Sequence, residues 1–300
     1  MGRLINGKWS TEWYDTKSTG GKFVREDAGF RGGVTPATAG AGRYHLYVSL
    51  ACPWAHRTLI FRKLKQLEDA ISVSVVDPFM GDDGWTFAEP ESVNHKRFLH
   101  EIYTLAKPDY TGRVTVPVLW DKQEQTIVSN ESADIIRMLN SGFNAIGDAS
   151  LDFYPEPLHA EIDEINALVY ENVNNGVYKC GFATEQAVYE TEFKKLFDML
   201  DTLDRRLLER RFLCGDAVTE ADWRLFTTLI RFDAVYHGHF KCNLRRIADY
   251  PGLSRLTAEL YQYPGVAATV NFDHIKQHYY RSHKTINPNG IVPAGPAEPF

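Results

Sequence analysis

The sequence predicts a small α/β domain followed by an all-helical domain. Three observations predict it. A run of β-formers, "RYHLYVSL" (43–50), leads through Cys52 and Pro53 straight into a helical pattern. A second β-rich run, "VTVPVLWD" (114–121), carries a proline in its interior. Beyond about residue 150 convincing strands cease and long amphipathic helical patterns take over.

The length, 300 residues, fits two domains. Apolar residues at 44% and charged residues at 24% describe an ordinary globular chain. The net charge, 33 − 39 = −6, argues against a general nucleic-acid binder, which carries a basic patch. "MGRLINGKWSTEWYD" holds no apolar core of a signal peptide, and no stretch approaches the length of a membrane span. Four widely spread cysteines, Cys52, Cys180, Cys214 and Cys242, fit a reducing cytoplasm better than a disulfide framework.

Residues 1–42, rich in Gly, Thr and charge, read as an irregular N-terminal extension. Residues 43–146 then form the α/β domain. The strand 43–50 has high β-propensity, and Pro53 suits the first position of a helix, where its missing N–H is not needed. The helix continues as "WAHRTLIFRKLKQL" and is followed by a strand at 71–77. Strand, helix and strand in this order imply a right-handed crossover with parallel pairing. Residues 114–121 and 125–129 read as two more strands joined by a polar turn, and "NESADIIRMLN" (130–140) as a capped amphipathic helix. The stretch 78–112 is less regular. A linker falls near "GDASLDFYPEP" (147–157). The helical domain spans 157–285 and a tail covers 286–300. In it Phe193, Leu196, Phe197, Leu200, Leu203 and Leu207 share one helical face, and Thr219 with Asp222 forms a capping box.

Cys52 stands at a helix start, where unpaired N–H groups and the positive end of the dipole favour thiolate, the reactive species. Ala55 occupies the place where a Cys-x-x-Cys partner would stand. The natural product of such a thiol is a mixed disulfide with an outside thiol; the alternative is a buried structural cysteine. A strand proline opposite a helix-start cysteine suggests a thioredoxin-like layout, with a cis bond before Pro117 and the backbone of Val116 offered to a peptide-like ligand. Glu131 and Ser132 present a carboxylate, a hydroxyl and helix-start N–H groups to a small zwitterion, or simply cap their helix.

Together these pieces resemble the glutathione transferase superfamily, whose thioredoxin-like domain binds glutathione and whose helical domain carries a Thr-x-x-Asp capping box. "CPWAHR", "VVDPFMGDDGWTF", "GRVTVPVLWD", "IVSNESADIIRM" and "NNGVYKCGFA" narrow the resemblance to the glutathionyl-hydroquinone reductases, the Xi class. The resemblance implies glutathione as co-substrate, no metal, and glutathione-dependent reduction of glutathionyl-hydroquinones with Cys52 as nucleophile. It places Trp85, Arg113, Val116, Glu131 and Ser132 around glutathione. Tyr178 and Tyr279 fall near the aromatic substrate, Tyr178 with a catalytic part; whether Tyr279 or Tyr280 faces that substrate stays open. It also implies a homodimer, while the cysteine usage, acidic balance and lack of a membrane span point to a cytoplasmic protein that binds no membrane and no nucleic acid.

Two rival functions remain: an Omega-like monothiol transferase acting on mixed disulfides or dehydroascorbate, and a non-catalytic glutathione-domain binding module. "HGHFKC" (237–242) completes no zinc set, and His274 and His278 share a helical face without a supporting motif. His56, one turn beyond Cys52, reads as a surface or capping residue.

Overall fold

A four-stranded sheet fixes the first half of the chain. In the computed structural model, which describes residues 2–297, the strands are β3 (Tyr44–Val48), β4 (Ser72–Val75), β6 (Val118–Asp121) and β7 (Thr126–Ser129), in the order β4-β3-β6-β7. Within the expected tail, residues 298–300 lie outside the described residues. β3 pairs parallel with β4 and antiparallel with β6, and β6 pairs antiparallel with β7. Every residue of β3 is buried, which explains its unbroken run of β-formers. His45 sits inside the parallel pair, its ring nitrogens 2.7 Å from Ser72 Oγ and 3.0 Å from Ser74 Oγ, and burial pushes its pKa down to about 4.

β3 leads into α1 (Pro53–Leu64); α2 (Leu99–Ala106) lies in the less regular stretch, and α3 (Ser132–Arg137) follows β7. The strand expected over 114–121 begins only at Val118, because Pro117 has no N–H to give a ladder. The Val116–Pro117 bond is cis. Buried Glu91 organises the irregular loop: its carboxylate accepts the N–H groups of Val93 (2.8 Å), Asn94 (2.7 Å) and Lys96 (3.2 Å).

Residues 2–42 are more ordered than an irregular extension. β1 (Arg3–Ile5) and β2 (Lys8–Ser10) form a hairpin through Asn6 and Gly7, both at positive φ, and β1 also pairs with β5 (Gly112–Arg113). Trp9 Nε1 donates to Asp82 O at 2.9 Å. Gly84, at φ +72°, lies against the Trp9 ring, 2.7 Å from where a Cβ would stand, so only glycine fits there.

The chain forms two compact units. One comprises residues 1–13, 26–152 and 268–278; the other comprises 14–25, 153–267 and 279–300. The second unit is helical: α4 (His159–Val169), α5 (Gly176–Gly181), α6 (Gln186–Glu209), α7 (Glu220–Arg231), the single turn α8 (His237–His239) and α9 (Pro251–Tyr261). α10 (Phe272–Ser282) contributes residues to both units. Leu196, Phe197, Leu200, Leu203 and Leu207 form the buried face of α6, and Phe193 is half-buried. Asp204 joins that face because its Oδ1 accepts the N–H groups of Gly252 (2.8 Å) and Leu253 (2.9 Å) at the start of α9. π-helical turns extend α4 over Tyr170–Asn174 and α7 over Phe232–Tyr236.

All of α7 is buried, and its charged groups are paired within the core, whereas the Trp223 indole Nε1 is buried without a hydrogen-bond partner among the described residues. Glu220 Oε1 meets Arg224 Nη2 at 3.0 Å and accepts from Asn166 Nδ2 at 2.8 Å. Asp222 caps the helix: its carboxylate accepts from Thr219 N (2.9 Å), Thr219 Oγ1 (3.0 Å) and Leu213 N (2.8 Å). Burial raises its carboxyl pKa to about 6.

Asp222→Ala strips three donors of their acceptor and is expected to cost about 3 kcal/mol, read as a lower urea midpoint. Because the folded carboxyl holds its proton more tightly than the unfolded one, its stabilising contribution is full below about pH 4 and is lost as pH rises through about 6. The stability gap between the two proteins should therefore narrow over that interval.

Candidate functional site

The site in the first unit is built around the start of α1. Cys52 is the N-cap, with extended backbone (φ −77°, ψ 123°), and Pro53 is the first helical residue. The first turn of α1 holds no acidic residue. Cys52 Sγ lies 3.6 Å from Val116 O, so the thiol faces the backbone just before Pro117. One turn further on, Arg57 is buried, stacks its guanidinium over Trp54 at 4.6 Å, and donates from Nη1 to Ser132 Oγ at 3.3 Å. Arg57 thus ties the early part of α1 to the start of α3, and a buried cation beside helix starts suits anions.

Glu131 is the N-cap of α3; its Oε1 accepts from Ala133 N at 2.9 Å and its N–H donates to Ser129 Oγ at 3.0 Å. Capping is therefore realised, through one carboxylate oxygen. Trp85 is buried and stacks on His278 with ring centroids 4.8 Å apart. His278 Nδ1 lies 2.9 Å from Pro78 O, which fixes the ring's orientation. Arg113 is buried; Nε donates to Glu26 Oε1 at 3.0 Å and Nη2 to Trp13 O at 3.0 Å, with Nη1 on Glu12 O. It anchors the chain where residues 14–25 leave and rejoin this unit. His56 is buried, not a surface residue, and its Nε2 lies 2.8 Å from Thr269 Oγ1.

The second unit holds a cluster of phenols. Tyr178 on α5 and Tyr279 on α10 have hydroxyls 2.6 Å apart, and Tyr236, in the π-helical turn after α7, lies 2.8 Å from Tyr279. Tyr236 and Tyr279 are buried and Tyr178 is half-buried. Burial pushes the hydroxyls of Tyr236 and Tyr279 well up, so both keep their protons. The arrangement is a hydroxyl chain in which two buried donors stand behind one more accessible hydroxyl. Tyr280 instead directs its hydroxyl to Ala234 O at 3.4 Å, so among the adjacent pair Tyr279 is the one in the cluster.

Sequence reasoning missed Tyr236, Arg57 and His278 as members of these groupings. Tyr236 directly precedes "HGHFKC", where attention fell on metal ligands. Among the described residues no group of three or more His, Cys, Asp or Glu is arranged to hold a metal ion.

The family models for the glutathione S-transferase N-terminal domain and C-terminal domain match residues 51–141 and 186–258. The chain is 57% identical to the glutathionyl-hydroquinone reductase PcpF of Sphingobium chlorophenolicum, over 100% of this chain and 98% of that protein. It is 55% identical to the glutathionyl-hydroquinone reductase YqjG of Escherichia coli K12, over 99% and 95%. The glutathione-bound structure of YqjG superposes with a TM-score of 0.91 at 50% identity, covering 98% of this chain and 96% of that one.

The four thiols should differ in reactivity. Burial raises the Cys214 pKa to about 11 and pushes Cys242 well up, leaving both almost entirely as thiols at neutral pH. Iodoacetamide at pH 7, followed by peptide mass spectrometry, is expected to label Cys52 first and to leave Cys214 and Cys242 unmodified until the protein is unfolded.

Proposed function

The chain belongs to the glutathione S-transferase family, and on that footing we propose that it is a glutathionyl-hydroquinone reductase working through Cys52. The observation that carries the proposal is the full-length kinship together with Cys52 at the start of α1, facing the backbone of Val116.

The chemistry follows from the atoms present. The ring of a glutathionyl-hydroquinone ketonises: a ring hydroxyl gives up its proton and the carbon bearing sulfur gains one. The Cys52 thiolate then attacks the glutathione sulfur. A sulfur–sulfur bond forms, the carbon–sulfur bond breaks, and its electron pair restores the aromatic ring, whose oxygen regains a proton. Hydroquinone leaves. A second glutathione thiolate attacks the glutathione sulfur of the mixed disulfide, freeing Cys52 and releasing glutathione disulfide. The ring carbon is reduced and two glutathione sulfurs are oxidised.

In this reading Val116, Glu131, Ser132 and Trp85 bind glutathione: a backbone edge, a carboxylate beside a helix start for the ammonium group, a hydroxyl, and an indole face. Arg113 serves it indirectly, through the arm it anchors at Glu12, Trp13 and Glu26. Tyr178, backed by Tyr279, holds the ring oxygen and its proton, which a carbon leaving group requires. A cytoplasmic homodimer without metal, membrane or nucleic-acid partners completes the proposal, supported by the cysteine usage and acidic balance and, for the dimer, by the family resemblance; sedimentation of the purified protein tests the dimer.

Cys52→Ser should release no hydroquinone above the uncatalysed rate and show no glutathione adduct by mass spectrometry, with circular dichroism unchanged. Full activity in that variant would remove Cys52 from the mechanism.

Glu131→Ala and Trp85→Ala are expected to weaken glutathione roughly 10- to 150-fold by calorimetry, the equivalent of about 1.5–3 kcal/mol. Unchanged binding in both would return these residues to capping and packing.

Tyr178→Phe, and to a lesser degree Tyr279→Phe, should slow glutathionyl-hydroquinone reduction at least about tenfold while leaving mixed-disulfide reduction nearly intact, since a sulfur leaving group needs no ring oxygen held. Equal loss on both substrates points to a structural role. No loss on either favours the monothiol transferase.

A further inference from the structure

Arg25, on the N-terminal arm, reaches the phenol cluster. Its guanidinium carbon lies 5.0 Å from the centroid of the Tyr178 ring and 5.4 Å from that of Phe23. Its Nε donates to Oδ1 of Asn175 at 2.8 Å, and Asn175 is the buried residue just before α5. The arm is itself fixed in this unit. The Phe23 ring packs on Phe182 at 5.4 Å, and Gly21 O accepts from Thr184 N at 3.1 Å. The cation is therefore held in place over the Tyr178 ring.

We propose that Arg25 is a positioning residue that makes Tyr178, and not its two partners, the hydroxyl that exchanges a proton with the substrate's ring oxygen. The proposal rests on the reductase reading above. Phenolate charge spreads from oxygen into the ring, so a cation over the ring face stabilises phenolate more than phenol. Tyr279 can donate to the Tyr178 oxygen, and Tyr236 to Tyr279, so both neighbours also favour negative charge at that end of the chain. With Tyr178 starting as phenolate, the ring hydroxyl of the substrate gives its proton to the Tyr178 oxygen as the sulfur-bearing carbon takes one from water. The hydroxide left is neutralised by the proton that the second glutathione thiol releases on becoming the attacking thiolate. When the carbon–sulfur bond breaks, the ring oxygen takes the proton back and Tyr178 returns to its starting state.

Other charged and aromatic groups also face the cluster. Arg231 bears on Tyr236 and Tyr279, and its Nη1 donates to Thr227 O at 2.8 Å. His239 and His283 lie beside Tyr279, and burial lowers the His239 pKa to about 4, which keeps it neutral at alkaline pH. Lys179, the next residue after Tyr178, pairs with Glu171 and Glu192. Phe23, Phe182 and Phe240 supply apolar walls.

The test compares wild type, Arg25→Met, Arg25→Lys and Tyr178→Phe. In a tyrosinate absorbance titration, the difference between wild type and Tyr178→Phe isolates the Tyr178 step. Arg25→Met is expected to move that step up by about one pH unit, and Arg25→Lys to leave it near its original place. In kinetics the alkaline rising limb of kcat for a glutathionyl-hydroquinone should move in the same direction in Arg25→Met, while mixed-disulfide reduction keeps its rate and pH profile. A titration step unmoved by Arg25→Met overturns the proposal, as does an equal slowing on both substrates. A wild type that releases no hydroquinone, with the titration step still shifted by Arg25→Met, counts against the reductase reading and not against the placement of charge on Tyr178.

Discussion

A thiol that caps a helix lies toward the unpaired N–H groups of the first turn, and holding Cys52 in that place is a demand on the chain before it. The first unit is arranged around that constraint. β3 must be held from both sides so that its end delivers Cys52 to one place, and β4 and β6 do this. Pro53 starts α1 immediately, with no intervening loop to move. The same β6 edge brings Val116 to the thiol. Arg57 then ties the first turns of α1 to the start of α3 through Ser132, so two helix starts share one buried cation.

The second unit answers a different constraint, the cost of burying hydroxyl groups. Tyr236 and Tyr279 are fully enclosed, and each buried hydroxyl requires a partner. They find it in one another and in Tyr178. Such a chain is satisfied internally yet has one end that is less enclosed, which is where a ligand hydroxyl can join without leaving a donor stranded. The π-helical turn over Phe232–Tyr236 bears directly on this, since it alters the helical repeat at the point where Tyr236 enters the cluster.

Local signals made much of the fold legible. β3, α1, β4, the face of α6 and the capping box of α7 all declare themselves through propensity, periodicity or cap chemistry within a few residues. The positions of Cys52, Val116 and Glu131 were legible for the same reason: Cys52 and Glu131 cap helices, and Val116 precedes the strand proline. The N-terminal hairpin was missed although Asn6-Gly7 is a strong hairpin signal, because its strands are only three residues long and the surrounding composition suggested an irregular arm. His278, Tyr236 and the partners of Arg113 were not legible, because each depends on residues distant in sequence. Trp85 and His278 stand nearly two hundred positions apart and meet ring on ring.

The arm shows why that distinction matters for function. Composition alone gives residues 1–42 no task. Yet Arg113 fixes Glu12, Trp13 and Glu26, the residues flanking the segment that carries Phe23 and Arg25. In the second unit those two side chains meet Tyr178. A carbon–sulfur bond differs from a disulfide in needing its carbon prepared to leave, and a thiol at a helix start does nothing toward that. The added chemistry calls for a hydroxyl able to hold and return a proton, and for charge placed to let it do so. On the proposal made above for Arg25, the arm that Arg113 helps to anchor carries such a charge, and its part in the reaction follows from that placement without any change to the sheet or the helices.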